Sequence, residues 1–373
     1  MLGLYVHIPF CSAICNYCNF NRGLFEAGLK ERYVAALLTE IRRTADGSPA
    51  NTIFFGGGTP SLLEPSEIAA VIEGCRQSWS LDGDVEITLE ANPETVTPER
   101  LAGFRAAGVT RLSYGIQSFR DDELGRLSRL HSAARAVDVF GMARAAGFDN
   151  ISLDLMMWLP QQTVAQWLES VDALIALGPD HASMYMLEIY PNAPLRDAMA
   201  RGQWAVAPED DVAEMYLSGL DKMDRAGYVQ YEISNVARPG RHSQHNLKYW
   251  TDGEWLGFGC GAHSTRVGTR WKNVSATEEY ISAVAAGGPI ATERRVLSAD
   301  EQLEEALFTG LRLSAGLDLQ AVNSRYGVDV WSRYGGELQP FVDQGVLLYD
   351  RQSLRLPRAG MLLAHEIMAV FIE

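Results

Sequence analysis

The chain has 373 residues, with 32 basic and 47 acidic side chains and a formal charge of -15. That balance argues against a broad nucleic-acid-binding surface and leaves only local positive charge for an anionic ligand. The length suits one large α/β core with a smaller appended unit, so a small metal-stapled module does not describe it.

Leu4 to Ile8 has the apolar, β-branched character of a first strand, and Pro9 ends it ahead of an exposed loop. Leu29, Tyr33, Leu37 and Ile41 recur at helical spacing. A second strand over Asn51–Phe55 stops at Gly56-Gly57-Gly58, and a third is predicted near Val85–Leu89. A helix follows Pro98, then a strand over Arg111–Gly115, a helix over Ala133–Ala146 and a strand over Ile151–Leu155. Val164–Leu177 places Trp167, Val171 and Leu174 on one helical face, and His181–Leu187 supplies a sixth strand. This alternation predicts an α/β fold: a partial (βα)6 TIM-like barrel rather than a complete eight-unit one, with a smaller C-terminal α/β wing domain.

Asp210–Ala226 reads as a further helix, followed by a region rich in Tyr, His, Trp and Gly. Beyond Ala291 come a helix over Ser298–Leu313, a helical stretch over Ala321–Tyr326, a hairpin joining Gly345–Tyr349 to Ser353–Leu356, and a helix over Leu362–Phe371. The expected division is a barrel over 1–208, a barrel extension carrying a second candidate binding region over 209–290, and a wing over 291–373. The opening Met1–His7 has neither a positive stretch nor a long apolar core, which makes the cytoplasm the expected location.

Five cysteines are unevenly spread: Cys11, Cys15 and Cys18 stand in a C-x3-C-x2-C array, with Cys75 and Cys260 isolated. This is the distribution of intracellular metal ligation rather than a disulfide framework. Three thiolates can hold three irons of a four-iron, four-sulfur cluster and leave the fourth without a protein ligand. On spacing alone zinc is an equal rival.

The residues around the cysteines separate the two. His7-Ile-Pro-Phe-Cys11, Cys15-Asn-Tyr-Cys18 and Phe20 resemble the cluster loop of radical S-adenosylmethionine (SAM) proteins in the oxygen-independent coproporphyrinogen III oxidase-like branch, and most closely its haem chaperones. The resemblance runs through Gly56-Gly57-Gly58-Thr59-Pro60, Glu90-Ala-Asn-Pro93, Gly115-Ile-Gln-Ser118, Leu127–His131 and Asp154. It implies a 4Fe-4S cluster on Cys11, Cys15 and Cys18, whose unique iron is chelated by the amino and carboxylate groups of SAM. Gly56, Gly57, Gly58 and Thr59 then receive the methionine part, and Glu90, Gln117, Arg129 and Asp154 are candidate SAM contacts. Taken singly, a glycine run is more often a turn and each polar residue a surface or packing group. Tyr17 is either a cluster neighbour or a packing aromatic, and His7 and His131 are expected to shape the site.

His245-Asn-Leu-Lys-Tyr-Trp250 resembles an H-N-x-x-Y-W segment associated in the chaperone branch with haem. It makes His245 the first choice of haem ligand, with His242 and His263 as alternatives and Arg238 or Arg241 as partners for a propionate. The alternative role of this segment is to stabilise the end of the sheet and the wing. Several positions depart from the family pattern: Asn19, Ser12-Ala-Ile14, Met157-Trp-Leu-Pro-Gln-Gln-Thr163 and Tyr190, where Glu is common.

Phe20 stands where the oxidases carry a fourth cysteine, which favours a chaperone that binds haem as cargo and transfers it to a recipient apo haem protein. Such a carrier could also meet a membrane-associated partner transiently, and homodimerisation is a further implication of the resemblance. Whether the chain is also an enzyme stays open. The alternatives are coproporphyrinogen III oxidase or radical SAM C-methyltransferase activity, and a purely structural metal-bearing interaction protein.

Overall fold

The computed structural model describes residues 1–372. Six strands, β1 (Leu2–Ile8), β2 (Pro49–Gly57), β3 (Ser80–Ala91), β4 (Arg111–Gln117), β5 (Ile151–Met157) and β6 (His181–Met186), lie side by side in chain order. All adjacent pairs among them are parallel. Helices Ala27–Thr44, Pro65–Ser78, Pro98–Ala107, Ala133–Ala145 and Val164–Leu177 make the crossovers.

Local signals fix the ends of these helices. Thr97 caps the helix that opens at Pro98, and left-handed Gly108 closes it. Thr163 and Gln166 form a reciprocal capping box, and Gly178 stops that helix in the left-handed region.

A parallel sheet covered on both faces reads as a continuous apolar run. These strands alternate instead. Leu112, Tyr114 and Ile116 of β4 join Ile87 and Leu89 of β3 and Leu153 and Leu155 of β5 in the helix-covered core. The opposite parity carries Glu86, Thr88 and Glu90, then Arg111, Ser113 and Gln117, then Ser152 and Asp154. The inner face of β3 to β5 is therefore polar.

The sheet extends beyond the six strands. β7 (Val229–Glu232) and β8 (Asn235–Ala237) form a hairpin on the β6 edge. β9 (Trp255–Phe258) joins the other edge parallel to β1, giving a seventh parallel strand that repeat counting did not anticipate. β10 (His263–Arg266), β11 (Thr269–Asn273) and β12 (Ala291–Val296) continue antiparallel. The resulting order is β12-β11-β10-β9-β1-β2-β3-β4-β5-β6-β8-β7. Ala291–Val296, grouped with the wing from sequence, thus hydrogen-bonds into the main sheet.

The wing packs helices Ala299–Gly310, Leu319–Tyr326 and Val330–Asp343 with a small sheet of Leu317–Asp318, Ser353–Arg355 and Leu348–Tyr349. The hairpin is present but short, because Gly345, with a φ of +72° in the left-handed region, ends the preceding helix rather than opening a strand. The expected last helix is two short ones, Arg358–Met361 and Ala364–Ala369, separated where Leu363 leaves helical geometry.

Candidate cluster and cofactor site

The cluster loop follows β1 and is closed on itself before any metal is considered. Phe10–Cys11 pairs with Gly23–Leu24, Gly23 N–H donates to Pro9 O at 2.6 Å, and Phe25 N–H donates to Cys11 O at 2.9 Å. His7 Nε2 meets Asn21 O at 2.7 Å, while Tyr5 OH meets His7 Nδ1 at 3.1 Å. Asn21 Nδ2 then donates to Cys260 O at 3.1 Å and to Ser275 O at 3.0 Å, tying the loop to the segment after β9. His7 is thus part of the site's architecture.

Cys11, Cys15 and Cys18 are free thiols. Thr59 Oγ1 lies 3.6 Å from Cys11 Sγ, and Arg129 Nη1 donates to Cys15 Sγ at 3.5 Å. Burial pushes the Cys11 and Cys18 thiols up, so iron binding has to drive their deprotonation. Three soft donors on one loop, with hydroxyl and guanidinium donors aimed at two of the sulfurs, suit an iron–sulfur cluster. Among the described residues, no three His, Cys, Asp or Glu side chains converge on a single-ion site.

Two glycines bring β2 against this loop. Gly57 has a φ of +112°, and a Cβ there would lie 2.6 Å from His7 Cε1. A Cβ on Gly58 would lie 2.7 Å from Phe10 O and 3.1 Å from Cys11 Sγ. Only hydrogen fits at either position. Gly56 sits one step further back, facing Phe54 and Tyr5.

The remaining candidates come from consecutive strand ends. Arg129 Nη2 donates to Asn92 Oδ1 at 2.7 Å and Gly115 O at 2.5 Å, and Asn92 Nδ2 donates to Thr59 Oγ1 at 3.1 Å. Gln117, at a φ of +71°, accepts from Tyr185 OH at 2.8 Å; a left-handed non-glycine residue at the end of a strand is a strained position of the kind found at binding sites. Asp154 accepts from Ser113 at 3.3 Å and Ser152 at 3.5 Å. Burial, reinforced by the charge of Asp154, pushes Glu90 up to about 8, and burial also raises Asp154.

Cys11, Cys15, Cys18, Gly57, Gly58, Thr59, Glu90, Gln117, Arg129 and Asp154 line one cavity of about 520 Å³. Tyr17, Asn92, Arg111, Ser183 and Tyr185 line it as well. Arg111 was read from sequence only as the start of a strand; its inward parity with Ser113, Gly115 and Gln117 was the available signal. His131 is buried behind the site, with Nε2 3.1 Å from Ile116 O and Nδ1 3.7 Å from Glu94.

His245 lies elsewhere. Helix Gln244–Trp250 closes the end of the barrel opposite the cluster, held by Glu86, which accepts from Gln244 N–H at 3.1 Å and His245 N–H at 3.0 Å. The His245 ring is fully buried against Phe54, with Nδ1 2.7 Å from Thr52 Oγ1 and Nε2 2.9 Å from Tyr249 OH. Burial, followed by the charge of Lys248, lowers its pKa to about 3. His242 is partly exposed against Tyr231, and His263 is exposed. Arg238 covers Tyr228, and Arg241 approaches Asp149 at 3.7 Å.

Residues 5–174 match the radical SAM superfamily and residues 297–363 the HemN C-terminal domain. The chain is 35% identical to "Heme chaperone HemW" of Bacillus subtilis, over 100% of this chain and 99% of that protein. The chain belongs to the HemW family of radical SAM proteins. It is also 38% identical to the mitochondrial radical S-adenosyl methionine domain-containing protein 1 of Bos taurus, over 98% of this chain and 86% of that one. Escherichia coli coproporphyrinogen III oxidase HemN superposes with a TM-score of 0.88 at 23% identity, covering 99% of this chain and 89% of that chain, so the two share a fold. A radical SAM domain carries an iron–sulfur cluster and SAM, and the thiols and polar walls of the cavity fit both. Among the described residues, no helix is long and apolar enough to cross a membrane.

Proposed function

We propose that this chain binds haem and delivers it to a recipient apo haem protein. The observation that carries this reading is the end-to-end similarity to haem chaperones, which spans barrel, extension and wing together. Cys11, Cys15 and Cys18 would hold a 4Fe-4S cluster, with SAM on its remaining iron. Arg129 and Gln117 would receive the amino-acid end, with Gly56, Gly57, Gly58 and Thr59 beside it, and Glu90 and Asp154 would bind hydroxyls. When bound, the cluster supplies one-electron chemistry; the chain's part is to orient SAM and keep the Cys11 and Thr59 side of the site dry.

The haem ligand is proposed among His242, His245 and His263. His245 could serve only if helix Gln244–Trp250 left the barrel, whereas the other two rings need no such movement. The three-part division, a cytoplasmic location, homodimerisation and transient contact with a membrane-associated recipient complete the proposal.

The test is anaerobic cluster reconstitution with iron and sulfide analysis, haem titration of the wild type and the three His→Ala variants, and transfer to an apo acceptor with parallel mass analysis for SAM cleavage. Saturable haem binding and transfer are expected. Decarboxylated coproporphyrinogen products would instead establish turnover, and failure of transfer would overturn the chaperone function.

A further inference from the structure

The cavity reaches further than the cluster and its neighbouring strand ends. β4 enters the barrel at Arg111 and leaves it at Gln117, so Arg111 lies at the deep end of the cavity, whose lining also includes Asn235 of β8 and Asn246 of the closing helix. Arg111 is 1% exposed, and among the described residues its side chain has no hydrogen-bond partner and no ion pair within 4 Å; Nε is enclosed without a partner. Arg129, half-buried in the same wall, has three hydrogen-bond acceptors for its Nη atoms, although its Nε is likewise without a partner.

Glu90 and Asp154 line the same cavity and interact electrostatically with Arg111, and neither forms an ion pair with it within 4 Å. Ser113 and Ser183 add hydroxyls to the same wall, and Asn235 Oδ1 is also without a partner. A guanidinium enclosed without a carboxylate in direct contact is unfavourable to leave unpaired. Its planar fork matches a carboxylate in two parallel hydrogen bonds.

We propose that Arg111 forms a carboxylate-binding subsite at the floor of the cavity, distinct from the Arg129 side that faces the cluster. Two sources share this chemistry: a propionate of the haem cargo, in which case the inference rests on the haem-delivery reading, and the carboxylate of a free amino acid.

The test uses the anaerobically reconstituted, cluster-loaded protein and equilibrium titrations with haem, haem dimethyl ester and methionine, for the wild type, Arg111→Lys and Arg111→Gln. Iron content and melting temperature are measured on each sample. If a propionate occupies the subsite, the ester binds the wild type at least tenfold more weakly than haem, and Arg111→Gln lowers haem affinity to the level of the ester. If an amino acid does, methionine binding falls tenfold or more in Arg111→Gln, with haem unchanged. Arg111→Lys retains part of whichever affinity is lost. A wild type that binds no haem would refute the delivery reading, while the methionine arm would still read the subsite. Equal affinity for haem and its ester together with no Arg111-dependent methionine binding overturns the proposal, and the wild-type ester comparison stands even where Arg111→Gln fails to fold.

Discussion

His245→Ala separates a structural role at the barrel end from direct haem ligation. In the folded chain the imidazole is enclosed, uncharged and bonded at both nitrogens, to Thr52 and Tyr249. Removing it leaves the buried Thr52 hydroxyl and the part-buried Tyr249 hydroxyl without their partner, at about 1–3 kcal/mol each, and opens a cavity, so a loss of about 3–5 kcal/mol is expected at pH 7. The folded pKa of about 3 lies below the ordinary 6.5. The unfolded chain therefore takes up a proton that the folded chain refuses. The contribution of this group is fully present above pH 6.5 and is lost progressively toward pH 3. At about 1.4 kcal/mol per pH unit, the wild type loses about 2 kcal/mol from His245 between pH 6.5 and 5, a loss that the variant cannot show. Urea denaturation of both proteins at pH 7 and pH 5 should find the stability gap narrowed by that amount at pH 5. A gap of equal size at both pH values would refute the reasoning, and weakened haem binding in a fully stable His245→Ala protein would argue for direct ligation.

Glu40 gives the opposite sign. It is buried, accepts from Gly259 N–H, Asn273 and Tyr280, and is pushed up to about 7 chiefly by burial. Its contribution is greatest below the unfolded value and is lost as pH rises through 7, so the stability of Glu40→Gln relative to the wild type should improve by about 3 kcal/mol from pH 5 to pH 8 in denaturant titrations. Gly57→Ala should force His7 off Asn21 and open the cluster loop, read as lower iron retention after reconstitution and at least tenfold weaker SAM binding. Cys15→Ser should abolish cluster absorbance, whereas Cys75→Ser, far from the cavity in the apolar core, should leave iron content unchanged. Arg129→Met should weaken SAM binding more than tenfold, because it removes the contacts to Cys15 and Asn92 together.

The sequence alone determined the alternation of strands and helices, because each barrel element carries its own period and its own end signals. Val164–Leu177 has a capping box at one end and a left-handed glycine at the other, and its limits could be read without tertiary information. The cysteine array and the glycine run were equally legible, since cluster binding and close backbone approach each demand residue types few other roles require. Tertiary structure decided what faces what. β9 lies far along the chain from β1, and no local pattern announces that it pairs there as a seventh parallel strand. The same holds for His245 and Arg111: a motif names a residue, but burial and partners depend on which elements close around it. Folding placed His245 inside the barrel end with both nitrogens engaged, and left Arg111 in the cavity without a partner.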